Sequence, residues 1–134
     1  MSFDHEKLRV YQRAIEFVAW VEELIQALPR RSAVVDHLER SSDSVPLSIA
    51  EGNGKFTPAD RCKFFDIARG STLEAAASLD VLVARKRVSG EGVHPGKEML
   101  VDVVSMLVGL IRSNNPDRLY EEHGDYEAGL SNAL

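Results

Sequence analysis

The sequence predicts an all-α protein, an up-down-up-down four-helix bundle. Three observations carry this. Apolar residues recur at three- and four-residue spacing through long segments, the period of a helix with one buried face. Proline and glycine break those segments at Pro29, between Gly52 and Pro58, and between Gly90 and Gly96. A fourth apolar stretch, Met99 to Ile111, is interrupted only by Asp102, Ser105 and Gly109.

The first helix is expected from Asp4 to Leu28. Leu8, Tyr11, Ile15, Val18, Val21, Ile25 and Leu28 make one apolar stripe. Val10, Phe17 and Leu24 make a second, with Trp20 beside it. Two stripes leave two readings open. One is a wide buried face. The other is a subunit interface carried by Val10, Phe17, Trp20 and Leu24, since exposed aromatic clusters mark contacts.

Pro29 stops that helix, and Ser32 is a suitable N-cap for the second, Ala33 to Glu51. Val34, Leu38, Val45 and Ile49 keep helical spacing on both sides of Pro46. The proline has no N–H for the Ser42 carbonyl and its ring crowds that carbonyl, so a kink is expected there. Ser41 or Ser42 on the inner face permits close helix approach. Gly52 and Gly54 suit a helix C-terminus because they tolerate positive φ.

The third helix is expected from Pro58 to Val88, opened by a Thr57 cap, Pro58 in the first turn and Asp60 in a Thr-x-x-Asp pattern. Gly70 inside it costs roughly 1 kcal/mol relative to alanine, which points to a close crossing at that residue, against Ser41 or Ser42. Residues Val88 to Gly96 read as a loop, and the fourth helix as Lys97 to Arg112. Its valines also suit a strand; its length, and three helical partners needing a fourth, favour helix. A helix apolar nearly all round needs burial on two sides, which points to an oligomer. The bundle thus occupies residues 1–113, and residues 114–134 form an acidic, flexible tail.

The chain has 134 residues, enough for one domain with a core. Its net charge is −5, and the excess is local. Residues 1–90 hold 13 basic and 13 acidic side chains, residues 91–134 hold 3 and 8. The acidic balance disfavours nucleic acid as a partner without excluding a local basic surface. A single cysteine, Cys62, forbids an internal disulfide and suits the cytoplasm. No apolar run reaches the roughly 18 residues of a membrane span.

The chemistry of a catalytic or cofactor site does not assemble. The four histidines are scattered, and there is no Glu-x-x-His pair, His-Glu-x-x-His, Cys-x-x-Cys, nucleophile elbow or dinucleotide fingerprint. Gly52-Asn53-Gly54-Lys55 lacks the spacing of a phosphate loop. The expectation is a non-enzyme with no cofactor, no metal and no membrane. Two basic clusters remain: Arg30 and Arg31 close the first helix, and Arg85, Lys86 and Arg87 close the third. In an up-down-up-down bundle both lie at one end, a candidate contact for phosphate or nucleic acid. Cations at helix C-termini also complement the macrodipole, which is the plainer account.

Ser44-Val45-Pro46, Ile49-Ala50-Glu51-Gly52, Gly54-Lys55, Ile67-Ala68-Arg69-Gly70-Ser71 and Glu74 resemble the signature of a bacterial four-helix-bundle family. Its founding members are encoded in intervening sequences of large-subunit ribosomal RNA genes. Leu8-Arg9-Val10-Tyr11-Gln12-Arg13-Ala14 is similar to the family's opening segment, and Arg40 fits too. Tyr11, Ser48 and Lys55 stand where the family usually has tryptophan, asparagine and arginine. The resemblance implies structural roles for Arg40, Pro46, Glu51, Gly52, Gly70, Ser71 and Glu74. It also implies a homo-oligomer. A branch similar in fold, the basic accessory proteins of diversity-generating retroelements, forms pentamers and works with nucleic acid. The first reading is therefore a non-enzymatic, self-associating scaffold, pentameric by resemblance. The alternative is a nucleic-acid-binding accessory module, which the acidic balance of this chain disfavours.

Overall fold

The computed structural model describes residues 2–114. Four helices account for most of them: α1 Arg9–Ala27, α2 Ala33–Asn53, α3 Pro58–Ala84 and α4 Gly90–Asn114. A 3-10 turn, Asp4–Lys7, precedes α1, so the first helix starts later than its apolar spacing suggests. The expectations for the acidic tail beyond Asn114 lie outside the described residues.

Each helix lies beside two others: α1 and α3 both adjoin α2 and α4, while the backbones of the diagonal pairs stay apart. The core confirms alternating directions. One layer joins Val10 and Ala14 from the start of α1 to Val45 and Ile49 near the end of α2. It continues through Phe65 and Ala68 early in α3 to Leu107 and Ile111 late in α4. The other layer joins Phe17 and Val21, Val35 and Leu38, Leu79 and Leu82, and Val93 and Leu100, the opposite ends of the same helices. Only an up-down-up-down order places those ends together.

The local signals act as read at two helix starts. The Val35 N–H donates to Ser32 Oγ at 3.4 Å and the Asp60 N–H donates to Thr57 Oγ1 at 3.2 Å. Each cap satisfies an orphan donor, worth about 1 kcal/mol. α2 passes through Pro46 as one helix. Ser41 and Ser42 are buried, and their hydroxyls donate to the Leu38 and Glu39 carbonyls of their own helix.

Three expectations fail. The segment read as a loop between Val88 and Gly96 is the first part of α4. Ser89 caps it: the Gly92 N–H donates to Ser89 Oγ at 2.9 Å and the Val93 N–H to the Ser89 carbonyl at 3.3 Å. Second, no glycine among the described residues has positive φ, and Gly54 is right-handed. Gly52 instead answers a close approach, because a Cβ there would lie 2.9 Å from Phe65 Cε1 and 3.0 Å from Phe64 Cβ. Third, Gly70 is exposed and a Cβ on it would meet nothing within 4 Å, so no helix crosses there.

α3 ends at Ala84, earlier than expected, in a left-handed turn at Lys86, φ 60°. The Arg87 N–H donates to the Leu82 carbonyl and the Lys86 N–H to the Val83 carbonyl, both at 2.9 Å. This is the pattern of a Schellman cap with lysine at the position glycine prefers. Lys86→Gly is expected to stabilise the protein by about 0.5–1 kcal/mol, read as a higher urea midpoint at unchanged slope.

Candidate functional site

Two surfaces stand out, a basic cleft at one end of the bundle and an apolar face along its side. The cleft forms where α2 begins and α3 ends. It holds about 590 Å³ and its lining includes Ser32, Ala33, His37, Glu74, Ser78, Arg85 and Arg87. The turn at Lys86 sets Arg85 and Arg87 on the cleft and leaves Lys86 off it. Neither arginine has an ion pair among the described residues.

The five-residue basic cluster expected at this end is thereby divided. Arg85 and Arg87 line the cleft; Arg30 and Lys86 are exposed outside it. Arg31 is already neutralised. Its guanidinium donates to Asp36 at 2.7 Å and to Glu39 at 3.3 Å, and these bonds raise its pKa above the ordinary value. Further along α2, desolvation and then the Glu39 and Glu22 charges raise the pKa of Asp43. Acidic groups therefore outline the α1–α2 side of this end.

The motif residues fall into two sets. Arg40 Nη2 donates to His37 Nδ1 at 3.1 Å, and that nitrogen lies 3.8 Å from Glu74 Oε1. Ser44 and Ser71 share a hydroxyl hydrogen bond of 2.8 Å between α2 and α3. These bridge the outer α2–α3 seam. Pro46 and Gly52 are buried in it, Glu51 faces solvent 3.9 Å from Lys55, and Gly70 is open. Arg61, near the start of α3, ties three helix ends. It donates to the Asn53 carbonyl at 2.7 Å and to Asn114 Oδ1 at 3.1 Å. Cys62 is buried, its thiol 3.8 Å from the Ile111 carbonyl.

The proposed α1 interface turns inward. Val10 and Phe17 are core residues of the two layers, and Trp20 and Leu24 are half-buried against the layer that holds Phe17. Trp20 stacks on Phe17 with ring centroids 5.8 Å apart. α1 needs two stripes because it packs against two helices. An exposed apolar surface lies between α3 and α4, around a groove of about 600 Å³ lined by Leu73, Ala76, Val101, Val104, Val108 and Gly109, among others; Leu47 and Phe56 are exposed elsewhere. Val101 is 64% exposed and Leu73 48%. Among the described residues no group of three or more histidine, cysteine or acidic side chains is placed to hold a metal ion. No helix there is long and apolar enough to cross a membrane.

Fold and surfaces together define a small all-helical bundle built around interhelical packing. A solved structure from Bacteroides thetaiotaomicron, a protein of unknown function from the S23 ribosomal protein family, has the same fold. Its TM-score is 0.72 at 17% identity, over 77% of this chain and 98% of that one. The 23S rRNA-intervening sequence protein family matches residues 6–109, and the chain belongs to that family. A search of curated proteins finds no match.

Proposed function

We propose that this protein is a non-enzymatic helical scaffold that self-associates through the outer face of α4 and the adjoining edge of α3. The observation that carries the reading is the exposed apolar groove around Val101. A second copy suits it because the stripe is self-complementary. Glu98, Val101, Ser105, Gly109 and Arg112 follow one another at helical spacing, all exposed. Two such helices packed antiparallel about Ser105 place Val101 against Gly109 of the other copy and Glu98 against its Arg112. That is the arrangement a two-fold interface requires. Gly109 has nothing within 4 Å of where its Cβ would be, so its own chain leaves that space open. A glycine inside a helix costs about 1 kcal/mol relative to alanine, and a close approach by a partner gives it a use.

Val101→Glu is expected to convert the assembly to monomer, measured as mass by light scattering, with helical content by circular dichroism unchanged because the side chain is exposed in the single chain. A wild-type mass of two chains fits the two-fold register. Five chains, as the family resemblance implies, retains self-association but requires a head-to-tail interface. A wild-type monomer at high concentration rejects the reading. The nucleic-acid alternative draws support from the cations at the basic end that have no ion pair among the described residues, Arg30, Arg85, Lys86 and Arg87. It ranks second because Arg31 is neutralised and Glu74 lines the adjoining cleft.

A further inference from the structure

The geometry points to a second function for the basic end: the cleft between the start of α2 and the end of α3 is a binding site for the phosphate group of a small phosphate monoester. Four observations converge on it, and none depends on self-association.

Arg85 and Arg87 supply two guanidinium groups without ion pairs among the described residues, both on the cleft wall. Planar, permanently charged guanidinium forks suit phosphate oxygens better than ammonium groups do. The N-terminus of α2 lies on the opposite wall, where Ser32, Ala33 and Val34 line the cleft. The cap occupies the N–H groups of Val35 and Asp36, which bond to Ser32 Oγ and the Ser32 carbonyl. The N–H groups of Ala33 and Val34 have no acceptor within the helix, and the helix dipole adds partial positive charge there.

Ser78 supplies the observation that a helix terminus and a pair of arginines lack by themselves. It is 6% exposed and lines the cleft. Its hydroxyl makes no hydrogen bond among the described residues, whereas buried Ser41, Ser42 and Thr72 all donate to carbonyls of their own helices. A ligand oxygen in the cleft would give the Ser78 hydroxyl a partner.

The same wall limits the kind of anion. Glu74 lines the cleft and lies 3.8 Å from His37 Nδ1, the nitrogen that accepts from Arg40. A carboxylate there repels a continuous polyanion. It accepts hydrogen bonds readily from hydroxyls, so it suits the uncharged part of a sugar phosphate. The volume, about 590 Å³, is that of a small-molecule site. A dianionic monoester meets two guanidiniums and a helix terminus at one end and Glu74 at the other. A nucleic-acid strand would instead need the cations of this end arrayed along an open surface, yet Arg31 is committed to Asp36 and Glu39.

The test is calorimetric titration of the full chain at low ionic strength with inorganic phosphate, glucose 6-phosphate, glucose and a single-stranded oligonucleotide. Saturable binding of glucose 6-phosphate, tighter than phosphate and absent for glucose, is expected. Arg85→Gln with Arg87→Gln should weaken it at least ~30-fold, and Ser78→Ala about 3–10-fold, consistent with losing charged and neutral hydrogen bonds. Arg30→Gln with Lys86→Gln should leave it unchanged. No saturable binding of either phosphate compound overturns the inference. So does binding indifferent to the Arg85 and Arg87 changes. Tighter binding of the oligonucleotide, weakened equally by loss of Arg30 and Lys86, also overturns it and promotes the nucleic-acid reading.

Discussion

Phe65→Ala is expected to cost about 3–5 kcal/mol, a large part of the 5–15 kcal/mol that holds a domain of this size together. Phe65 is fully buried in the layer that joins the start of α1 and α3 to the end of α2 and α4. Its ring fills the space that Gly52 leaves, with Phe65 Cε1 2.9 Å from where a Gly52 Cβ would stand. The two positions are therefore coupled. Gly52→Ala alone should cost about 1–3 kcal/mol by overpacking. In the Phe65→Ala background the ring is gone and only Phe64 Cβ, at 3.0 Å, opposes the added methyl. The double variant should be less destabilised than the sum of the singles by ~1 kcal/mol. Urea denaturation of the four proteins closes the cycle. Additive costs would show that the ring and the glycine do not share this space.

Local signals explain why so much of the fold was legible. Ser32 and Thr57 cap α2 and α3 because a hydroxyl three residues before an unpaired N–H acts wherever it occurs. The start of α4 was missed because Gly90, Gly92, Pro95 and Gly96 all read as breakers. Ser89 nevertheless nucleates a helix there. The end of α3 was missed for the converse reason: its left-handed residue is Lys86, not a glycine. The second stripe of α1 left two explanations open, and packing decides for burial. In a ring of four helices each member has two seams, so Val10 and Phe17 are consumed within the chain.

The candidate sites were less legible. Topology alone brought both basic clusters to one end. It did not reveal that Arg31 is bound by Asp36 and Glu39. Nothing in the pattern singled out Ser78, whose interest lies in a hydrogen bond it does not make. Gly109 and Gly70 look alike as interior helix glycines, and both are open. Only Gly109 lies on the groove between α3 and α4.

Gly96 differs from both, and Gly96→Ala is expected to destabilise the protein by about 2 kcal/mol. An alanine Cβ there would lie 2.3 Å from Trp20 Cζ3, 2.5 Å from Cη2 and 2.7 Å from Cε3. The indole cannot withdraw towards Phe17, which is 1% exposed and stacked on it with ring centroids 5.8 Å apart. Helix propensity alone favours the substitution by about 1 kcal/mol, so the sign reports the clash. Overpacking of this kind costs about 1–3 kcal/mol and more when the neighbour is rigid. Gly70→Ala supplies the contrast. With nothing within 4 Å, it should gain close to the full propensity term, about 1 kcal/mol of stabilisation. Replacing Trp20 by alanine first should reverse the sign at Gly96, since the obstructing ring is removed. Thermal or urea melts of these variants read the result directly. If Gly96→Ala destabilises equally with and without the indole, Trp20 is not what the glycine accommodates.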